Sequence, residues 1–130
     1  MSRYQTLLPV GKIQESIKAF AEERDWEKFH TPKNLSMALS VESSELVEIF
    51  QWLTDAQSCE IMKDPETAKK IRDEVADILV YLCRFSDVMN IDLEAAVSEK
   101  MIDNGKKYPV ATSRGLATKY KDLPGGEGSS

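Results

Sequence analysis

A row of acidic residues is the part of this sequence best suited to chemistry. Residues 34–62 contain five acids and no Lys or Arg, and three of these acids follow one another at three-residue steps, as Glu42, Glu45 and Glu48. Like charges three or four residues apart on a helix cost about 0.2–0.5 kcal/mol per pair. The row therefore calls for a compensating cation, and a divalent metal ion is the leading interpretation.

A second acidic group follows further along the chain. It consists of Asp73, Glu74 and Asp77, and no basic residue lies between Arg72 and Arg84. Hard divalent cations prefer oxygen ligands, and Mg²⁺ is usually held by a few carboxylates together with substrate phosphates and water. If two helices bring the acidic groups together, they form a four-carboxylate metal site. The predicted ligands are Glu42, Glu45, Glu74 and Asp77.

The chemistry that suits such a site is cleavage of a phosphoanhydride, because a metal held this way can bridge phosphate oxygens and orient an attacking water. The pattern also has a simpler interpretation, since acids at helical spacing commonly form a solvated face. Periodicity does not decide between the two. A di-iron bundle is disfavoured, because Glu27-x-x-His30 supplies only half of the required ligand set and His30 is the only histidine. The sequence has no P-loop and no G-x-S-x-G elbow.

Helices must position these acids, and the sequence predicts an all-α fold, an antiparallel bundle of about four main helices. Apolar residues recur at helical spacing, and Thr31-Pro32 and Asp64-Pro65 each combine an N-cap residue with proline at the first helical position. The predicted helices cover residues 10–24, 31–53, 64–89 and 92–107. Residues 54–63 are predicted to be a loop, and no helical stripe is found from Pro109 onward.

Composition narrows the class of protein. The chain has 130 residues, 42% of them hydrophobic and 30% charged, which is typical of one globular domain. We predict a catalytic domain over residues 1–110 and a partly flexible tail over residues 111–130. A net charge of -5 argues against broad nucleic-acid binding. No apolar stretch is long enough for a membrane span and the N-terminus lacks a signal-peptide pattern, so a cytoplasmic location is expected.

Several aromatic residues flank the acidic groups and have two interpretations. Trp26, Phe29 and Trp52 either fill the core or provide a stacking wall for a nucleobase. Tyr81, one turn beyond Asp77, either packs or lies at the floor of the same cleft. The pattern alone leaves these alternatives open.

Four segments resemble a known family. They are residues 20–26, 48–52, 73–79 and 107–109. Together they resemble the all-α nucleoside triphosphate pyrophosphohydrolases of the MazG-like superfamily, and the likeness is greatest to the dCTP pyrophosphatase branch. The resemblance extends from about residue 17 to residue 125.

The resemblance implies a Mg²⁺-dependent enzyme, with Mn²⁺ as a substitute, that cleaves dCTP between its α and β phosphates. It places the family's metal ligands on Glu42, Glu45, Glu74 and Asp77, and it places a third acid of the first motif on Glu48, which either holds a further metal or positions the water. We expect the catalytic residue that orients or deprotonates the attacking water to be Glu45 or Glu48. The implied substrate contacts are Trp26, Phe29, His30, Trp52, Tyr81, Lys100 and Asn104. It also implies assembly into a homodimer or a homotetramer built as a dimer of dimers.

Two alternatives remain at the level of sequence. One is the same reaction on another deoxynucleotide, such as dATP or dUTP, because pocket residues of these types do not encode one base uniquely. The other is a non-catalytic helical interaction module whose acidic face docks a basic partner. Such a module would need no metal and would release no pyrophosphate.

Overall fold

Helices account for the regular structure of residues 10–117, which are the residues that the computed structural model describes. The helices are α1 (Gly11–Glu23), α2 (Pro32–Phe50), α3 (Asp55–Glu60), α4 (Pro65–Val88), α5 (Leu93–Lys107) and α6 (Val110–Ser113). Two 3₁₀ turns, Glu27–Phe29 and Ile61–Lys63, lie between them, and no strand occurs within this range. The predicted all-α class is confirmed.

The main helices begin where side-chain caps were predicted. Thr31 accepts a hydrogen bond from the Asn34 N–H at the start of α2, and Asp64 accepts one from the Thr67 N–H at the start of α4. In both cases proline follows at the first helical position, where its missing N–H costs nothing. These local signals explain why the starts of the two long helices were readable from sequence.

The prediction of a loop over residues 54–63 is wrong. Residues 55–60 form α3 because Thr54 and Gln57 make a reciprocal capping box: the Thr54 hydroxyl accepts from the Gln57 N–H, and the side-chain Oε1 of Gln57 accepts from the Thr54 N–H. The absence of a helical stripe after Pro109 was also misleading, since α6 occupies Val110–Ser113.

Helices α2 and α4 form the principal contact of the compact unit Val10–Ile91, and α1 also packs against α4. The start of α2 lies near the end of α4, since His30 contacts Arg84, whereas Glu42 and Glu74 meet nearer the helix centres. The two helices are therefore antiparallel. This arrangement is what brings the two acidic groups of the sequence together.

The apolar core of the described residues is small. Its buried members are Ala21, Leu35, Ala68, Ile71 and Cys83. The apolar residues of α4 are only partly buried, because Ile71 is inside whereas Val75 is 53% exposed and Leu79 is also exposed. A second apolar face of α4 is thus left open to solvent.

Residues 92–117 belong to a second compact unit. It contains α5, which begins where Asp92 accepts a hydrogen bond from the Ala95 N–H, and the short α6. Residues 1–9 and the part of the predicted tail from residue 118 onward lie outside the described residues. Among the described helices, none is both long and apolar enough to cross a membrane.

Candidate active site

Three carboxylates converge where α2 packs on α4. One carboxylate oxygen each from Glu42, Glu45 and Glu74 lies within 4.8 Å of the other two. All three residues are half-buried, and Glu42 Oε2 and Glu74 Oε2 are buried without a hydrogen-bond donor. Buried polar atoms normally have partners, so two orphaned carboxylate oxygens facing one another need either a proton or a cation between them.

The pKa of Glu42 is raised for the same reason, the close approach of the carboxylates. Sharing a proton with Glu74 raises the pKa of Glu42 from 4.5 to about 7, and burial and the neighbouring Glu45 add to the effect. Two carboxylates this close cannot both ionise at low cost, so the proton belongs to the pair. A divalent cation would replace that proton and satisfy both orphaned oxygens. The donor set of three carboxylates fits a hard divalent metal.

A cleft of about 490 Å³ lies beside this cluster, within the unit Val10–Ile91. Its lining comes from α1 (Ser16, Ile17, Phe20, Ala21), from the connection to α2 (Trp26, His30) and from α4 (Asp77, Val80, Tyr81, Arg84). Asp77 follows Glu74 by three residues, so α4 links the carboxylate cluster to the cleft. The lining is mostly apolar and aromatic, with a few polar groups, as in many sites for small molecules.

The end of α1 determines where Trp26 lies. Asp25 has a φ of 54°, in the left-handed region, which Asp tolerates better than most residues. The Asp25 N–H donates to the Glu22 carbonyl and the Trp26 N–H donates to the Ala21 carbonyl, which is the Schellman pattern. The chain thereby turns sharply, and the Trp26 ring meets Phe20 edge to face at a centroid distance of 5.7 Å.

His30 enters the cleft from the segment before α2. Its Nδ1 accepts a hydrogen bond of 3.2 Å from Arg84 Nε on α4. Burial lowers the pKa of His30, the Arg84 charge lowers it further, and Glu27 opposes both effects. His30 is therefore held as a neutral imidazole near physiological pH.

Comparisons with known proteins identify a family for this chain. The model of the MazG-like family matches residues 37–123, a range that includes all three clustered carboxylates. The chain belongs to the MazG-like family.

Solved and curated relatives extend this family assignment. A pyrophosphatase from Archaeoglobus fulgidus DSM 4304 superposes with a TM-score of 0.72 at 35% identity, over 80% of this chain and 95% of that one. The dCTP pyrophosphatase 1 of Rattus norvegicus is 46% identical and that of Mus musculus 45% identical, over 82% of this chain. The match spans 63% of the length of each of these two curated relatives.

Some of the site residues predicted from sequence lie close together in this MazG-like chain. The structure brings together Glu42, Glu45 and Glu74, and it places Trp26, His30, Asp77 and Tyr81 around the cleft. Asp77 is exposed and lies outside the three-carboxylate group, so its role as a fourth ligand remains a prediction.

Three other predicted residues of the unit Val10–Ile91 lie outside the carboxylate cluster and the lining of the cleft. Glu48 is exposed and lines a shallow groove on α2, whereas Phe29 and Trp52 are 61% and 87% exposed and do not line the cleft. Lys100 and Asn104 are on α5, in the second unit. Their roles as catalytic or substrate-binding residues stay predictions.

Arg84 is the polar cleft residue that sequence reasoning missed. It is 4% exposed, although arginine is seldom buried without a partner. A signal was present, because Asp77, Tyr81 and Arg84 recur at helical spacing and so share one face of α4. The position of Arg84 on the same face of α4 as Asp77 therefore indicated that Arg84 contributes to the site.

Proposed function

We propose that this chain is a Mg²⁺-dependent nucleoside triphosphate pyrophosphohydrolase that cleaves dCTP to dCMP and pyrophosphate, with Mn²⁺ as a substitute metal. The observation that carries the proposal is the three-carboxylate cluster with two orphaned buried oxygens, beside an aromatic cleft on the same helix. The curated relatives named dCTP pyrophosphatase 1 support the choice of substrate.

In this proposal the acidic residues have distinct roles. Glu42, Glu45 and Glu74 would hold the metal, which supplies charge neutralisation for the triphosphate. Glu45 or Glu48 would accept a proton from the water that attacks the α phosphorus, and pyrophosphate would leave. Placing the reactants in line accounts for much of the rate of such reactions.

The cleft would receive the nucleobase. Trp26 and Tyr81 offer aromatic faces, and stacking of a base on an aromatic side chain contributes about 1–3 kcal/mol. The imidazole of His30 would contact the base edge or the sugar. Such a pocket favours a single nucleoside over a long nucleic acid, in agreement with the acidic net charge of -5.

Pyrophosphate release from a nucleotide panel tests the proposal. We expect release from dCTP to exceed release from dTTP, dUTP, dATP, dGTP and CTP, and we expect chelator to abolish it, because the carboxylates alone repel the triphosphate. Hydrolysis in ¹⁸O-labelled water should place the label in dCMP, since attack occurs at the α phosphorus. Another leading nucleotide would overturn the base assignment. No release from any nucleotide would favour the non-catalytic interaction module.

We also propose that the chain works as a homo-oligomer, a dimer or a dimer of dimers. Met37, Val41 and Val47 on α2 are between 54% and 60% exposed, and Val75 on α4 is 53% exposed. Several exposed apolar side chains on two packed helices favour an interaction surface. A second copy of the chain is the proposed occupant, because a self-complementary contact between two such faces closes with two-fold symmetry.

Placing a charge on this face should shift the oligomer toward monomer. Val47→Lys would bury an unpaired ammonium in the proposed interface, which is costly. We expect sedimentation equilibrium to show a larger species for the unmodified chain and a substantial monomer fraction for Val47→Lys. Met62→Lys makes the same change at a half-exposed apolar side chain outside α2. A monomeric unmodified chain, or equal dissociation of both variants, would contradict the proposed interface.

A further inference from the structure

A network of polar side chains holds His30 at the cleft, and the members other than His30 have no role in the chemistry described so far. Arg84 Nε donates to His30 Nδ1 at 3.2 Å, Arg84 Nη1 lies 3.9 Å from Asp87 Oδ2, and Gln14 Nε2 donates to Asp87 Oδ1 at 3.1 Å. The network connects α1, α4 and the segment before α2. Its one member with a free ring nitrogen is His30, which lines the cleft.

The direction of the central hydrogen bond is fixed by the chemistry of arginine. A guanidinium carries only N–H donors and is not deprotonated in proteins, so it never accepts a hydrogen bond. The imidazole nitrogen that faces it must therefore present a lone pair. A hydroxyl, an amide or a water at the same place would permit either direction, and the histidine tautomer would then be undetermined.

We propose that Arg84 is a positioning residue that locks His30 in the neutral tautomer with its proton on Nε2, so that His30 presents one N–H donor for the ligand in the cleft. Within residues 10–117, the His30 side chain makes no hydrogen bond other than the one to Arg84. Its Nε2–H is thus available to an acceptor atom, such as a carbonyl oxygen or an unprotonated ring nitrogen on the edge of a nucleobase.

Burial explains why Arg84 is held so firmly. Its side chain is only 5% exposed, and a buried cation requires a compensating charge, which Asp87 provides one turn later on α4. Gln14 in turn orients Asp87 from α1. The guanidinium therefore cannot swing away to solvent, and the lowered pKa of His30 is consistent with a cation facing the ring.

A fixed donor has a consequence for selectivity. A site that presents a buried donor discriminates against a ligand that cannot accept a hydrogen bond there, because the donor would lose its water without gaining a partner. This step rests on the proposed function, since it assumes that a nucleotide base occupies the cleft. The tautomer itself does not depend on that assumption.

Nitrogen NMR of the ¹⁵N-labelled full chain tests the tautomer directly, because His30 is the only histidine and its ring signals need no further assignment. Long-range correlations from the carbon-bound ring protons distinguish Nδ1 from Nε2. We expect Nδ1 to have the shift of an unprotonated acceptor nitrogen and Nε2 that of a protonated nitrogen. A protonated Nδ1 in the unmodified chain overturns the proposal.

Substitution of Arg84 tests the cause. Arg84→Met removes the donor while keeping a long apolar side chain, and we expect the two nitrogen shifts to move toward each other as the tautomers interchange. Arg72→Met makes the same change at an exposed position on α4 and should leave both shifts unchanged. Unchanged shifts in Arg84→Met would overturn the role of Arg84.

A second variant covers the case in which Arg84→Met does not fold. Arg84→Gln keeps a hydrogen-bonding side chain, but its amide can either donate or accept, so a smaller movement of the shifts in the same direction supports the proposal. Shifts identical to those of the unmodified chain overturn it.

Kinetics provide the functional readout. We expect Arg84→Met to raise the KM for the nucleotide by roughly 3- to 10-fold with kcat little changed, the effect of losing one uniform binding contact. If the unmodified chain hydrolyses no nucleotide, the proposed function fails, and the NMR result still decides the tautomer. A fall in kcat at unchanged KM would contradict a role in base binding.

Discussion

Glu45→Gln is expected to reduce nucleotide turnover by about 10³-fold or more while leaving the helical circular dichroism unchanged. The substitution keeps the size of the side chain but removes one negative charge from the three-carboxylate cluster. Metal-assisted charge stabilisation contributes several kcal/mol to such reactions, and each 1.36 kcal/mol corresponds to a factor of ten in rate. Steady-state pyrophosphate release at saturating Mg²⁺ measures the effect.

Two further substitutions sharpen this test. Glu66→Gln removes a charge from the first turn of α4, away from the cluster, and should retain nearly full turnover. Glu48→Gln separates the two candidate bases, because Glu48 lies outside the cluster. If only Glu45→Gln is inactive, the catalytic acids are confined to the cluster. Full activity of Glu45→Gln would refute the carboxylate mechanism.

Thermal stability without metal is expected to decrease as the pH rises. The pKa of Glu42 is raised from 4.5 to about 7 by the shared proton with Glu74, so between these values the folded chain holds a proton that the unfolded chain has released. The free energy of unfolding therefore falls across this window and reaches its lower level above about pH 7. Melting temperatures of chelator-treated protein between about pH 5 and about pH 8 measure the trend.

Added Mg²⁺ should restore the stability that the metal-free chain loses as the pH rises. A ligand that binds only the folded state at about 100 times its Kd adds about 2.7 kcal/mol to the free energy of unfolding, and here its binding also displaces the shared proton. The expected result is a clear rise in melting temperature on adding Mg²⁺ near pH 8, with proton release when metal is added in weak buffer near neutral pH.

Glu42→Gln is the matched variant for this experiment. It removes the repulsion between the two carboxylates, so the metal-free variant should be more stable at about pH 8 than the metal-free unmodified chain. The same change removes a ligand, so added Mg²⁺ should stabilise the variant much less. A metal-free unmodified chain whose stability rises with pH through this window, or equal Mg²⁺ stabilisation of both proteins, would contradict the assignment of Glu42.

Helix α4 organises the whole site. Glu74, Asp77, Tyr81 and Arg84 follow one another at steps of three or four residues and so lie along one face. Glu74 belongs to the carboxylate cluster, Asp77 and Tyr81 line the cleft, and Arg84 contacts His30. The carboxylate cluster and the contact with His30 are thereby placed about three helical turns apart on a single helix, which keeps their separation fixed.

The sequence by itself determined the helical class and most of the elements. Apolar periodicity and the cap-plus-proline signals at Thr31-Pro32 and Asp64-Pro65 act within a few residues, so they can be read without knowledge of the fold. The signal for the short α3 is also local, because it is the capping box between Thr54 and Gln57. The two acidic rows also identified the three clustered carboxylates as candidate ligands.

Only the tertiary structure decided which of these groups meet. Pairing of α2 with α4 orphans the buried oxygens of Glu42 and Glu74, and this raises the pKa of Glu42, whereas Asp77 faces the cleft and Glu48 faces a separate groove. Helical periodicity gives the face of each residue on its own helix, but the rotation of one helix against another depends on packing of the complete interface. The contact between His30 and Arg84, 54 residues apart, arises in the same way.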